Sequence, residues 1–346
     1  MNGRALLLAC LAWPLTGAAG DAPTGLVHDA VFSHYGEPAS SAELARRLVT
    51  PLNAWRLQQR AAASGVALKD QPVDLAQERF ALYVPSQAPP DGYALFVFVP
   101  PWDDAKVPPT WIPVMDRHGM IFVTAAGIGN DTNLLDRRDP VALLAAINVM
   151  AGYRVNPQRV YVGGLSGGSR VALRLALGYP DLFHGVLLEA GSDPLGKTAP
   201  LPPAPLLEQA QVGTRVVYLT GQMDASNLDT DRASRQSLRD WCIDDVDMRE
   251  MPWTGHVLAE ASAIDRALTS LETHHAPDAT KLAACRSRIS AGLDSELGKV
   301  SAALDAGHLD EARKQLGDID HRYGGLAAPR SVELAARIEK AASPVP

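Results

Sequence analysis

The chain has 346 residues, of which 47% are hydrophobic and 21% charged, a composition that supports a sizeable α/β core plus a smaller appendage. With 32 basic against 39 acidic residues the formal charge is −7, which argues against nucleic acid or an anionic membrane surface as the main partner.

Residues 1–20 read as a secretory signal peptide: a cation at Arg4, an apolar run from Ala5 to Trp13, then small residues up to Gly20. The expected location is therefore the periplasm or the exterior. No later stretch is long and apolar enough to span a bilayer. Removing the signal takes Cys10 with it. Cys242 and Cys285 remain, either as a disulfide tying the main domain to the C-terminal helices or as two buried thiols.

Residues 21–74 carry a weak signal, and the expectation is an N-terminal helical segment with Ser41 to Ala63 split at Pro51. An α/β domain is expected over 75–275. Arg79 to Pro85 is the first predicted strand there, and a turn at Pro89-Pro90-Asp91-Gly92 leads into a second, Tyr93 to Val99. That second run is apolar throughout, as in a strand covered on both faces. A helix from Trp111 to His118, a strand from Met120 to Thr124 and a helix from Pro140 to Tyr153 follow. Val160 to Val162 is a further strand, and it runs straight into Gly163-Gly164-Leu165-Ser166-Gly167-Gly168 and an apolar helix that stops at Gly178 and Pro180.

Strand, Gly-x-Ser-x-Gly, helix is the nucleophile-elbow pattern. The turn is too tight for side chains beside the serine, so Gly164 and Gly168 occupy positions where a Cβ would collide with the neighbouring strand and helix. Ser166 is the candidate nucleophile, and the Gly167 N–H, at a helix N-terminus, is placed to receive negative charge.

Gly185 to Glu189 and Arg215 to Thr220 are the next strands, separated by a Pro-rich connection. A helix is predicted from about Asp231 to Cys242, a short strand near Asp247 to Met251, and a helix from Val257 to Leu271. Strand alternating with helix predicts a mainly parallel sheet covered on both faces, with ligands at the carboxyl ends of its strands. Residues 276–346 contain no strand signal and read as a small C-terminal helical extension packed on the main domain, with a docking surface for a protein partner as the alternative.

A serine hydroxyl needs a base, and the base needs an acceptor that fixes its tautomer. His256 follows the last predicted strand and is taken as the base, ahead of His184, His274 and His275. Asp224 lies just past the strand ending at Thr220 and is taken as the acid, ahead of Glu189, Asp193 and Asp229. The second oxyanion donor must come from the loop after Val99. Pro100 and Pro101 have no N–H, so the Trp102 amide is the first that can serve. Trp102, Trp111 and Trp253 are candidates to line the cleft. No metal-ligand spacing or cofactor motif is present, and none is expected.

Six segments carry a resemblance to the α/β-hydrolase superfamily, within it to secreted polyhydroxybutyrate depolymerases and feruloyl esterases. They are Leu82-Tyr83-Val84-Pro85, Tyr153 to Tyr161, Gly164 to Gly168, Tyr179-Pro180-Asp181-Leu182-Phe183, Thr220-Gly221-Gln222-Met223-Asp224 and Gly255-His256. The resemblance covers about Arg79 to Leu271 and departs from the group in lacking His-Gly after the third strand. It implies a Ser166–Asp224–His256 triad with the Gly167 and Trp102 amides around the oxyanion. The expected activity is hydrolysis of a small-molecule or polymer-end carboxylic ester through an acyl-enzyme. A serine peptidase or acyltransferase on the same triad, or a non-catalytic binding protein of this fold, are the alternatives.

Overall fold

The computed structural model describes residues 23–67 and 69–342; the signal-peptide reading at 1–20 lies outside them. Eight strands form one sheet: β1 (Gly25–Ala30), β2 (Phe80–Val84), β3 (Tyr93–Val99), β4 (Met120–Ala125), β5 (Val155–Leu165), β6 (Gly185–Glu189), β7 (Arg215–Gly221) and β8 (Val246–Met251). Their order across the sheet is β1-β2-β4-β3-β5-β6-β7-β8. β1 pairs with β2 and β2 with β4 in antiparallel fashion, and every pairing from β4 to β8 is parallel.

β3 shows why the sheet needs helices on both sides. Tyr93, Leu95, Val97 and Val99 enter one core, whereas Ala94, Phe96 and Phe98 enter the other. This is the two-residue alternation of a strand in which neither face meets water. The first core is covered by α1 (Ser41–Leu48), α4 (Asp139–Gly152), α5 (Gly167–Gly178), α6 (Ala204–Gly213) and α7 (Ala225–Asp240). The second is covered by α3 (Ile112–His118) and α8 (Ala261–Leu271), with Trp111, Phe96, Phe98 and Phe122 as its aromatic centre.

The segment read as helical over 21–74 departs from that reading at its start. Gly25–Ala30 is a strand on the sheet's edge, and only then come α1 and α2 (Pro51–Ser64). Its burial alternates irregularly and Asp29 has a positive φ of 50°, so no clean period-2 signal was available. The split at Pro51 falls where the sequence puts it, because proline's fixed φ suits the first turn of a new helix.

Three further helices follow the sheet: α9 (Ala279–Asp305), α10 (Leu309–Tyr323) and α11 (Arg330–Ala342). They are packed on the main body rather than held apart from it. Leu297, Val300, Leu316 and Ile319 join the first core, and the buried Asp320 carboxylate accepts the Leu52 N–H at 3.0 Å. Of the two alternatives for the cysteines, the structure holds the disulfide: Cys242 at the end of α7 is bonded to Cys285 on α9. No helix among the described residues is long and apolar enough to cross a membrane.

Candidate active site

β5 ends at Leu165 and α5 begins at Gly167, so Ser166 carries the whole reversal. Its backbone sits at φ 57°, ψ −120°, outside the regions that L-residues ordinarily occupy. The surrounding glycines are a packing requirement. A Cβ on Gly164 would stand 2.5 Å from the Val99 carbonyl oxygen and from the Gly168 backbone, and one on Gly168 would stand 1.9 Å from that same oxygen. The elbow is therefore pressed against the end of β3 with no room for a methyl group.

β6 and β7 continue the same rim. Leu165 is in register with Glu189, and Glu189 with Leu219. β7 ends at Gly221, and Asp224 sits at the N-terminus of α7, three residues further on. The helix starts earlier than Asp231, where composition suggested it. Ser226, Asn227 and Asp229 are weak helix formers, so the first two turns read as loop in the sequence.

His256 lies on the loop after β8, and this loop is laid directly on the turn that bears Asp224. Gln222 N donates to the Met251 carbonyl at 3.0 Å, and Met223 N donates to the Thr254 carbonyl at 2.9 Å. Gly221 makes that contact possible: a Cβ there would be 2.1 Å from the Thr254 oxygen. The loop is also longer than expected, because α8 begins at Ala261 rather than Val257.

This arrangement brings Asp224 and His256 together. His256 Nδ1 donates to Asp224 Oδ2 at 2.7 Å. Asn227 Nδ2 donates to the same oxygen at 2.8 Å and lies 3.1 Å from His256 Nδ1. Burial works against ionisation of Asp224, but the hydrogen bonds from His256 and Asn227 outweigh it and hold its pKa below the ordinary value. A proton held on Nδ1 leaves Nε2 as the basic nitrogen. Ser166 is partly exposed on the same rim, and its hydroxyl makes no hydrogen bond among the described residues. Such links often tighten only around a bound substrate.

The competing residues are occupied elsewhere. Asp193 faces Arg170 at 3.6 Å, and the exposed Asp229 pairs with Arg232. His274 and His275 both contact Asp245, which also pairs with Arg215 at the start of β7, on the opposite edge of the sheet. His184 precedes β6 and is likewise at that edge. Glu189 is at the correct edge, but its carboxyl reaches Ala259 N at 3.1 Å instead of an imidazole.

On the oxyanion side, neither the Trp102 nor the Gly167 N–H donates to another group among the described residues. The loop between them is held from beneath. The Pro100 carbonyl accepts from Arg138 Nη2 at 3.1 Å, and the Pro101 carbonyl accepts the Asn130 N–H at 3.1 Å. The Asn130 carboxamide then covers Gly167, since a Cβ on Gly167 would lie 2.1 Å from its Oδ1. Asn130 and Asn227 escaped the sequence reading, because a single polar residue in a polar loop carries no pattern. Asp103 turns inward to accept the Gly129 N–H at 2.9 Å.

The three tryptophans separate. Trp111 is completely buried and belongs to the core, whereas Trp102 is 36% and Trp253 88% exposed. Met223 and Val257, the chain neighbours of Asp224 and His256, are exposed apolar residues like Trp253.

No protein-family model matches this chain, and no curated protein matches it by sequence. Solved structures do. A ferulic acid esterase is similar over 56% of this chain and 92% of its own, at 15% identity and a TM-score of 0.43. A poly(3-hydroxybutyrate) depolymerase from Bordetella parapertussis is similar over 60% of this chain and 88% of its own, at 17% identity and a TM-score of 0.41. Thermogutta terrifontis esterase 2, phosphorylated by paraoxon, is similar over 57% and 87%, at 15% identity and a TM-score of 0.41. Independently of these scores, the strand order, the antiparallel second strand and the strand-to-helix reversal at Ser166 make the fold that of the α/β-hydrolases.

Proposed function

We propose that this protein is a serine hydrolase that cleaves carboxylic esters through an acyl-enzyme. The observation that carries the reading is the 2.7 Å hydrogen bond between His256 and Asp224 on the rim where Ser166 occupies a strained elbow. His256 Nε2 takes the Ser166 proton as the hydroxyl attacks the ester carbonyl, and Asp224 stabilises the imidazolium that forms. The carbonyl oxygen gains negative charge and is received by the Gly167 and Trp102 N–H groups, neither of which donates to another group among the described residues. Each such donor is typically worth about 2.7–4 kcal/mol in the transition state. The imidazolium then protonates the departing alkoxide, leaving an acyl-serine. Water, deprotonated by the same imidazole, attacks that ester; the acyl–Oγ bond breaks, the imidazolium returns the proton to Ser166, and the acid is released.

Among hydrolases, esters are favoured over peptides by the openness of the site. His256 is 45% exposed and its loop runs along the surface, so the site offers little enclosure to orient and activate an amide. A periplasmic or secreted location accords with the Cys242–Cys285 disulfide, since such bonds persist in oxidising compartments.

Incubation with a fluorophosphonate probe and with p-nitrophenyl acetate tests the reading. Stoichiometric labelling and ester turnover are expected, both lost in Ser166→Ala. Labelling that survives in Ser166→Ala would contradict it.

A further inference from the structure

Glu189 closes β6 beside the elbow, and two of its groups reach in different directions. Its backbone carbonyl accepts the Ser166 N–H at 2.8 Å. Its carboxyl reaches the other way, where Oε2 accepts the Ala259 N–H at 3.1 Å. Ala259 lies three residues beyond His256 on the same loop. The Ala259 carbonyl in turn accepts the Trp111 indole N–H at 2.8 Å. Both polar groups of this backbone residue are thus held by side chains with no exposure to water.

A carboxyl is a costly occupant for that position. Leu165, Leu219, Met251 and Ile264 belong to the same apolar core, and an aliphatic side chain would suit it. Glu189 Oε1 is buried without a hydrogen-bond partner among the described residues. Burial pushes the Glu189 pKa up to about 8, with the Ala259 N–H pulling weakly the other way. An unsatisfied buried group of this kind calls for a reason beyond packing.

The loop supplies that reason. Upstream of His256, the loop is fastened to the end of β7 through Gln222 and Met223. Downstream, Glu189 and Trp111 are the side chains that hold Ala259. Between these anchorages the imidazole is nearly half exposed, and among the described residues its hydrogen-bond partners are Asp224 and Asn227.

We propose that Glu189 is a positioning residue for the base, tying the loop that carries His256 to the strand end that holds Ser166. The inference rests on the hydrolase reading above. One residue then sets the separation of nucleophile and base: its main chain fixes the first and its side chain fixes the second. A misplacement of about 1 Å between reacting groups can cost on the order of 100-fold in rate.

The test compares wild type, Glu189→Gln and Glu189→Leu, each shown to fold by circular dichroism, for kcat and KM on p-nitrophenyl acetate and for the fluorophosphonate labelling rate. Glu189→Gln keeps an acceptor for Ala259 and is expected to stay within about threefold of wild type. Glu189→Leu is expected to lose about 10- to 100-fold in kcat and in labelling rate, with KM within about twofold. Should the leucine variant fail to fold, Glu189→Asp withdraws the carboxyl by one methylene and serves in its place. A folded leucine or aspartate variant that is labelled at the wild-type rate overturns the proposal while leaving the hydrolase reading intact. Wild-type protein that takes no label overturns both.

Discussion

Asp224 Oδ2 receives two donors within 3 Å, His256 Nδ1 at 2.7 Å and Asn227 Nδ2 at 2.8 Å. The acid stands at the N-terminus of α7, and the base on a loop gripped upstream by the β7 turn and downstream, at Ala259, by Glu189 and Trp111. Asn227 is the residue that makes the pair asymmetric. Its carboxamide donates to the same carboxylate oxygen as the imidazole, and this second donor favours the charged form of Asp224.

Replacing that carboxylate tests its role. Asp224→Asn keeps the shape but offers an amide to His256, favouring the wrong tautomer. The expected loss is about 10³- to 10⁴-fold in kcat for p-nitrophenyl acetate. Asn227→Ala leaves the carboxylate in place and is expected to cost about tenfold or less. Equal losses in the two variants would show that Asp224 acts only as a structural partner of Asn227.

The elbow glycines separate into a permissive and a forbidding position. A methyl on Gly167 meets the far end of the exposed Asn130 side chain, which can rotate away. A methyl on Gly168 meets the Val99 main chain, which cannot. Gly167→Ala is therefore expected to change stability by less than about 1 kcal/mol, and Gly168→Ala to cost about 3 kcal/mol or more. Chemical denaturation of the two variants measures this, and equal effects would mean that the elbow is looser than described.

Glu189 also predicts how stability depends on pH. Its pKa in the folded protein is about 8, against an ordinary value of 4.5. The folded state therefore holds a proton that the unfolded chain releases between those values. Its contribution is fully present below about pH 4.5 and is lost as the pH rises through about 8. Urea unfolding of wild type and Glu189→Gln from pH 5 to pH 9 is expected to show wild type losing stability relative to the variant as the pH rises. Parallel curves would mean that the buried carboxyl is already ionised at neutral pH.

The disulfide joins α7 to α9 across a sequence separation of 43 residues. Closing a loop of that size stabilises a folded chain by about 2–4 kcal/mol. Cys242→Ala/Cys285→Ala is expected to lower the urea midpoint accordingly while leaving the labelling rate within about twofold, because neither cysteine touches the rim. Loss of labelling in a folded double variant would tie the C-terminal helices to the site.

What could be read in advance follows a physical division. Strands such as Tyr93–Val99 are buried on both faces and announce themselves as unbroken apolar runs. The elbow is legible because its glycines leave a fixed spacing wherever two backbones touch. The residues around Asp224 are less so: the start of α7 is written in polar, poor helix formers, and the turn before it is held by the loop lying upon it. Glu189 was legible as a carboxylate at the right edge of the sheet, but not which neighbour it would face. That depends on the path of a loop 70 residues further along. Asn130 and the edge strand Gly25–Ala30 are likewise determined by tertiary contact, which a single sequence does not display.

The most direct measurement is mass spectrometry of the intact protein, and of its peptides, after incubation with a fluorophosphonate at neutral pH. One adduct per chain is expected, located on Ser166, absent from Ser166→Ala and formed far more slowly in His256→Ala. An adduct on another residue, or no adduct on folded wild-type protein, would contradict this expectation.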